Sequence, residues 1–154
     1  MALDRSLVGT RELGRSARIA SEATLEKDSS LHPEVRALCR EMLAAVTSSR
    51  SDGFRRRNMP ALVHQYFSDI GKVLVRVADV MKSGGRFALV IGRNTTVLGD
   101  REFVIDTPRL VSLTSEQVGW RLELSLELDT YQRFDIHQRN SIRQESLVIL
   151  RRVG

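Results

Sequence analysis

The apolar positions fall into a small number of clear patterns. After His32-Pro33-Glu34, a start signal with proline at the first helical position and an acid in the first turn, Val35, Leu38, Met42, Ala45 and Val46 recur at three and four residues and predict a helix over about 33–47. From Pro60 the periodicity is strongest: Val63, Tyr66/Phe67, Ile70, Val73/Leu74, Val77 and Val80/Met81 make a wide apolar face on a helix over about 60–82. Ser83-Gly84-Gly85 ends it, with either glycine free to take the left-handed cap conformation. Phe87-Ala88-Leu89-Val90-Ile91 is then a continuous apolar run, which predicts a strand over about 86–92 buried on both faces, as inside a parallel α/β sheet.

The second half is patterned differently. Residues 93–106 carry turn signals and read as loop, and Thr107-Pro108 opens a short helix over about 108–118. Leu122, Leu124, Leu126 and Leu128 alternate strictly with polar residues, which predicts a half-exposed strand over about 121–129 near a sheet edge. A polar stretch, DTYQRFDIHQRNSIRQE, separates it from Ser146-Leu147-Val148-Ile149-Leu150, a second apolar strand over about 145–151. Residues 1–30 are polar with weak periodicity and read as an irregular arm with one or two helical turns, leaving 31–154 as the domain.

Composition narrows the classes. A chain of 154 residues, 42% hydrophobic and 28% charged, suits one globular domain. No apolar run approaches the roughly 20 residues that cross a bilayer, and charged residues in Met1-Ala2-Leu3-Asp4-Arg5 leave no secretory h-region, so the expected location is cytoplasmic, with no membrane partner. The single cysteine, Cys39, excludes an internal disulfide or thiolate zinc cluster; it sits beside the first helical stripe as a small buried hydrophobe. The net charge is +5, and since only Lys27, Lys72 and Lys82 are lysines, 21 of the 24 basic residues are arginines. Guanidinium groups suit phosphates and base edges. A high-GC genome produces the same bias everywhere, so this only leans toward nucleic acid. Arg55-Arg56-Arg57 could meet phosphate, although a charge run is more often a solvated loop.

Tyr66-Phe67-Ser68-Asp69-Ile70 followed by Val80-Met81-Lys82-Ser83-Gly84-Gly85 resembles the Y-F-x-D-M … V-L-K-P-G-G stretch of prokaryotic DNA amino-methyltransferases, which methylate adenine N6 or cytosine N4. The Gly-Gly piece is shared by many methyltransferases. The stretch 129–145 with the apolar strand and Arg151-Arg152 is similar to the C-terminal signature of one group and is more specific, and Leu7-Val8-Gly9-Thr10-Arg11-Glu12 resembles the segment after their catalytic loop. Together the resemblance covers nearly the whole chain. It implies an α/β fold: the C-terminal half of the seven-stranded, Rossmann-like class I methyltransferase sheet. There the last strand is antiparallel and inserts between the fifth and sixth, so 146–150 takes the middle and 121–129 the edge.

The motifs that carry catalysis in that family do not occur. The F-x-G-x-G cofactor loop is missing, and so is the (Asp/Asn/Ser)-Pro-Pro-(Tyr/Phe/Trp) loop, since Pro33, Pro60 and Pro108 are the only prolines. No catalytic or cofactor-binding residue is carried over, and no metal cluster is expected. S-adenosylmethionine is expected only in a complemented enzyme. Without the fourth strand, Phe87–Ile91 has an open edge, a template for pairing. A second polypeptide supplying the missing half is the simplest completion. A truncated gene product, or an edge capped by the first 30 residues or by a second copy of the chain, are the alternatives.

If strands 86–92 and 121–129 are parallel, their carboxyl ends share the side on which open α/β sheets bind ligands. Arg93 and Asn94 then join Arg133, His137, Arg139, Asn140 and Arg143 as candidate DNA contacts. Arg133 and Arg139 are assigned to DNA. For Asn140 and Arg143, holding the loop through Asp129, Asp135 and Glu145 fits equally well. The function expected is a DNA methyltransferase subunit; the alternative is a non-catalytic DNA- or protein-binding module built on the same half-fold.

Overall fold

In the computed structural model the described residues are 13–25, 27–49, 52–129 and 145–154. Along the chain lie α1 (Arg15–Thr24), α2 (Pro33–Ser48), α3 (Phe54–Arg57), α4 (Met59–Val80), β1 (Arg86–Gly92), β2 (Asn94–Leu98), β3 (Arg101–Ile105), α5 (Thr107–Glu116), β4 (Trp120–Leu128) and β5 (Glu145–Arg152). This is a mixed α/β chain, and its strands pair antiparallel. Two compact units divide it, Met1–Leu74 with Thr96–Phe103, and Val75–Thr95 with Val104–Gly154.

In the first unit α2 begins as its sequence dictates. His32 Nδ1 accepts the Glu34 backbone N–H at 3.3 Å, and Pro33 needs no partner for the donor it lacks. Val35, Cys39, Met42 and Val46 form its buried stripe. Burial pushes the Cys39 thiol up to about 12, so it stays protonated and acts as a small hydrophobe. The segment read as irregular contains α1, a ten-residue helix. A buried polar relay holds it: Ser21 Oγ lies 2.9 Å from His64 Nδ1, and His64 Nε2 lies 3.1 Å from Asp28 Oδ2. The partners fix the roles, Nε2–H donating to the carboxylate and Nδ1 accepting from the hydroxyl.

Burial works against ionisation of Asp28, but hydrogen bonds from the Ser30 hydroxyl and backbone N–H, with the neighbouring His64, outweigh it and hold the carboxyl below its ordinary value. A depressed carboxyl stabilises the fold at neutral pH and loses that contribution as pH falls through the lowered value. Asp28→Asn therefore lowers stability at pH 7 by roughly 1 kcal/mol, part of the effect being screened by water. It also shrinks the loss of melting temperature between pH 5 and pH 3; a variant melting like the wild type across that range refutes the assignment.

The loop read over 93–106 contains a hairpin. Asn94–Leu98 and Arg101–Ile105 pair as a two-stranded sheet. The turn hangs on Gly99, whose φ of 59° lies in the left-handed region. The Gly99 N–H donates to Asp52 Oδ2 at 2.7 Å. That bond is the first cause holding the Asp52 carboxyl below its usual range.

In the second unit, β5 lies between β1 and β4 and runs antiparallel to both, the arrangement expected for 146–150 and 121–129. Gly84, at φ 74°, makes the turn out of α4, and its N–H bonds the Arg152 carbonyl at 3.0 Å. One sheet face is buried, with Ser146, Val148, Leu150 and Trp120 inside and the Phe87 ring 6.0 Å from that of Trp120. Helix α5 packs on all three strands. Its buried hydroxyls satisfy themselves on its own carbonyls, Ser112 on Pro108 at 2.9 Å and Thr114 on Leu110 at 2.8 Å.

Two burial expectations are corrected. The apolar run of β1 is not buried on both faces, nor in a parallel pairing: its partner is antiparallel β5, and Val90 is 60% exposed. The leucines of β4 do not face the covered side as a set, because a bulge between Leu122 and Leu124 shifts the register. Leu124 and Leu126 emerge opposite Ile149 and Leu147, at 44% and 51% exposure. The apolar stripe of α4 likewise continues past its buried part, ending in exposed Val80.

Candidate nucleic-acid interface

Because β1 and β4 both run antiparallel to β5, they are parallel to each other, and their carboxyl ends lie together. The register places Gly92, Leu128 and Glu145 in one row at that end. The segment 130–144 therefore leaves from and returns to this end, beside Arg93 and Asn94. Arg133, His137, Arg139, Asn140 and Arg143 lie outside the described residues.

Arg93 is tied down. Its Nε meets Asp106 Oδ1 at 3.2 Å and its Nη1 meets Glu127 Oε1 at 3.0 Å. The Asp106 hydrogen bond, then its charge, hold the guanidinium protonated even more firmly than usual. A guanidinium bridging two carboxylates braces the end of β1 against the end of β4; a phosphate would have to compete for it. Neither acid stood out in the sequence, because no local spacing relates Arg93 to residues 13 and 34 positions away. Asn94 opens β2 and is exposed. Arg55, Arg56 and Arg57 are exposed on α3; Arg56 reaches Asp52 at 3.5 Å and Arg57 Nε donates to the Asp52 carbonyl at 3.0 Å.

The described residues do not fit an S-adenosylmethionine site. No glycine-rich turn follows a described strand, and the charged side chain at the end of β1 is engaged by Asp106 and Glu127. No cluster of metal-ligating side chains occurs among the described residues. No helix among them is long and apolar enough to cross a membrane.

No family model matches the chain, and no curated protein matches it. Two solved structures of a DNA modification methylase from Thermus thermophilus are similar to it. The form complexed with S-adenosyl-L-methionine aligns at TM-score 0.49 and 15% identity, over 75% of this chain and 51% of that one. The selenomethionine form aligns at TM-score 0.46 and 15% identity, over 58% of this chain and 37% of that one. The chain thus spans about half the length of that methylase or less.

Proposed function

We propose that this chain supplies the C-terminal half of a DNA amino-methyltransferase, acting on adenine N6 or cytosine N4, and that a second polypeptide supplies the cofactor loop and the catalytic loop. The observation that carries the reading is the position and direction of β5. An antiparallel strand inserted between two parallel ones is an uncommon solution, and here it falls on the segments that the resemblance in 66–85 and 129–145 assigns to it. The absence of both catalytic motifs supports the other reading, a non-catalytic module on the same half-fold.

In the proposed enzyme this chain's own residues bind and orient. The arginine-rich segment 129–145 meets the DNA backbone on the side where the carboxyl ends of β1 and β4 lie, and the Arg93 bridge keeps those ends in register. S-adenosylmethionine supplies the methyl group when bound to the partner's loop. The partner pairs with the edge of β1 that has no strand beside it among the described residues; pairing of two copies through that edge is the alternative.

The purified chain alone is expected to give no heat of binding with S-adenosylmethionine in calorimetry and no methyl transfer to DNA. Micromolar affinity or measurable transfer by the lone chain overturns the claim that it is incomplete.

A further inference from the structure

The face of the β1–β5–β4 sheet turned away from the buried side has an order that its composition alone does not reveal. Residues directly opposite across strands share a face, which puts Ala88 and Val90, Leu147 and Ile149, and Leu124 and Leu126 together as an apolar centre. Val90, Leu124 and Leu126 are 60%, 44% and 51% exposed. At one end of this face Arg86, Arg151 and Arg121 stand in a single row across all three strands. Like charges directly opposite destabilise a sheet. Glu123 answers Arg86 at 2.7 Å, while Arg121 and Arg151 have no acidic partner among the described residues. At the other end the row is Gly92, Glu145 and Leu128, with Asp129 next along the chain. Neither acid has a basic partner among the described residues.

These positions are related by an approximate internal symmetry. Leu89, Val148 and Ser125 pair across the middle of the sheet. A two-fold axis along that line exchanges Leu147 with Ile149, Leu124 with Leu126, Ala88 with Val90, and Glu145 with Arg151. We infer that this face packs against the same face of a second copy of the chain, strands antiparallel, with Arg151 of each copy on Glu145 of the other and Arg121 near Asp129. The alternative two-fold, along the strands, sets the arginine rows against each other and is disfavoured by charge. A self-complementary patch is what a two-fold dimer requires, and aligned sheets bury such apolar faces between them. A lipid surface fits less well, since insertion would take the unpaired backbone of the β1 edge out of water. The inference is independent of the methyltransferase reading, because it uses the sheet face and leaves that edge free.

The test is sedimentation equilibrium of the full chain, with circular dichroism to confirm folding. The wild type is expected at about twice 17.4 kDa. Arg151→Glu and Glu145→Arg should each weaken the dimer by roughly tenfold or more, since each places like charges together twice. Mixing the two variants in equal amounts should restore it, because both trans pairs become opposite again. Within one chain the two positions lie roughly 20 Å apart along β5, too far to compensate locally. A wild type that stays monomeric, with or without binding to anionic vesicles, overturns the inference. So does a dimer unaffected by either change, or one weakened by both and not restored by mixing. Should these two variants fail to fold, Val90→Glu and Leu126→Glu give the second reading: folded variants that still dimerise as the wild type also overturn it.

Discussion

Proline substitutions at Ala88 and Leu89 should separate, with one of the pair unfolding β1 from β5 and the other abolishing assembly with the catalytic half while leaving the sheet intact. In an antiparallel pair, successive residues point their N–H groups alternately at the partner strand and away from it. Both positions lie inside the β1–β5 ladder, Ala88 opposite Ile149 and Leu89 opposite Val148. The proline that removes an inward donor breaks a ladder bond and strands a carbonyl, at a cost of roughly 1–3 kcal/mol. The proline that removes an outward donor costs the isolated chain little, and blocks any strand that pairs with the open edge. The expected result is one variant with a lowered melting temperature and one near the wild type, the second having lost its partner and all methyl transfer. Full activity in both prolines would show that no strand pairs there.

The second large effect belongs to the arginine-rich segment. Arg133→Ala and Arg139→Ala should each weaken duplex binding by the assembled enzyme and flatten its salt dependence by roughly one unit of log–log slope per lost phosphate contact. Stability should hardly change, since an arginine in a polar loop contributes packing only through its stem. Asn140→Ala and Arg143→Ala are the contrast: if they fasten the loop to Asp129, Asp135 or Glu145, they lower the melting temperature along with binding. Unchanged slopes and affinities in both Arg133→Ala and Arg139→Ala would make the segment structural and move the DNA face elsewhere.

Periodicity was a good guide where one rule acted alone. The start of α2 at Pro33, the long α4 ended by Gly84, and the central place of β5 all follow from local pattern, because cap chemistry and side-chain period are local properties. Burial was less legible. A run such as Phe87–Ile91 records what the strand can bury, and with its second face uncovered Val90 stays in water. Strict alternation in β4 pointed to one apolar face, and the bulge after Leu122 divides it between two. The hairpin of β2 and β3 was hidden because Gly99-Asp100 also reads as an ordinary loop; the β-branched and aromatic residues on either side were the available signal. Of the candidate contacts, Arg93 was correctly placed at the carboxyl end of β1. Its carboxylate partners were out of reach because they come from the start of α5 and the end of β4.

The claim that this chain is half of a DNA methyltransferase is tested most directly in the source organism. Its genomic DNA is sequenced by a single-molecule method that reports N6-methyladenine and N4-methylcytosine, with the reading frame intact, deleted, and restored. The account predicts that one methylated sequence motif disappears on deletion, returns with the wild-type frame, and does not return with the proline variant that blocks the β1 edge. A pattern of methylation unchanged by the deletion would contradict it.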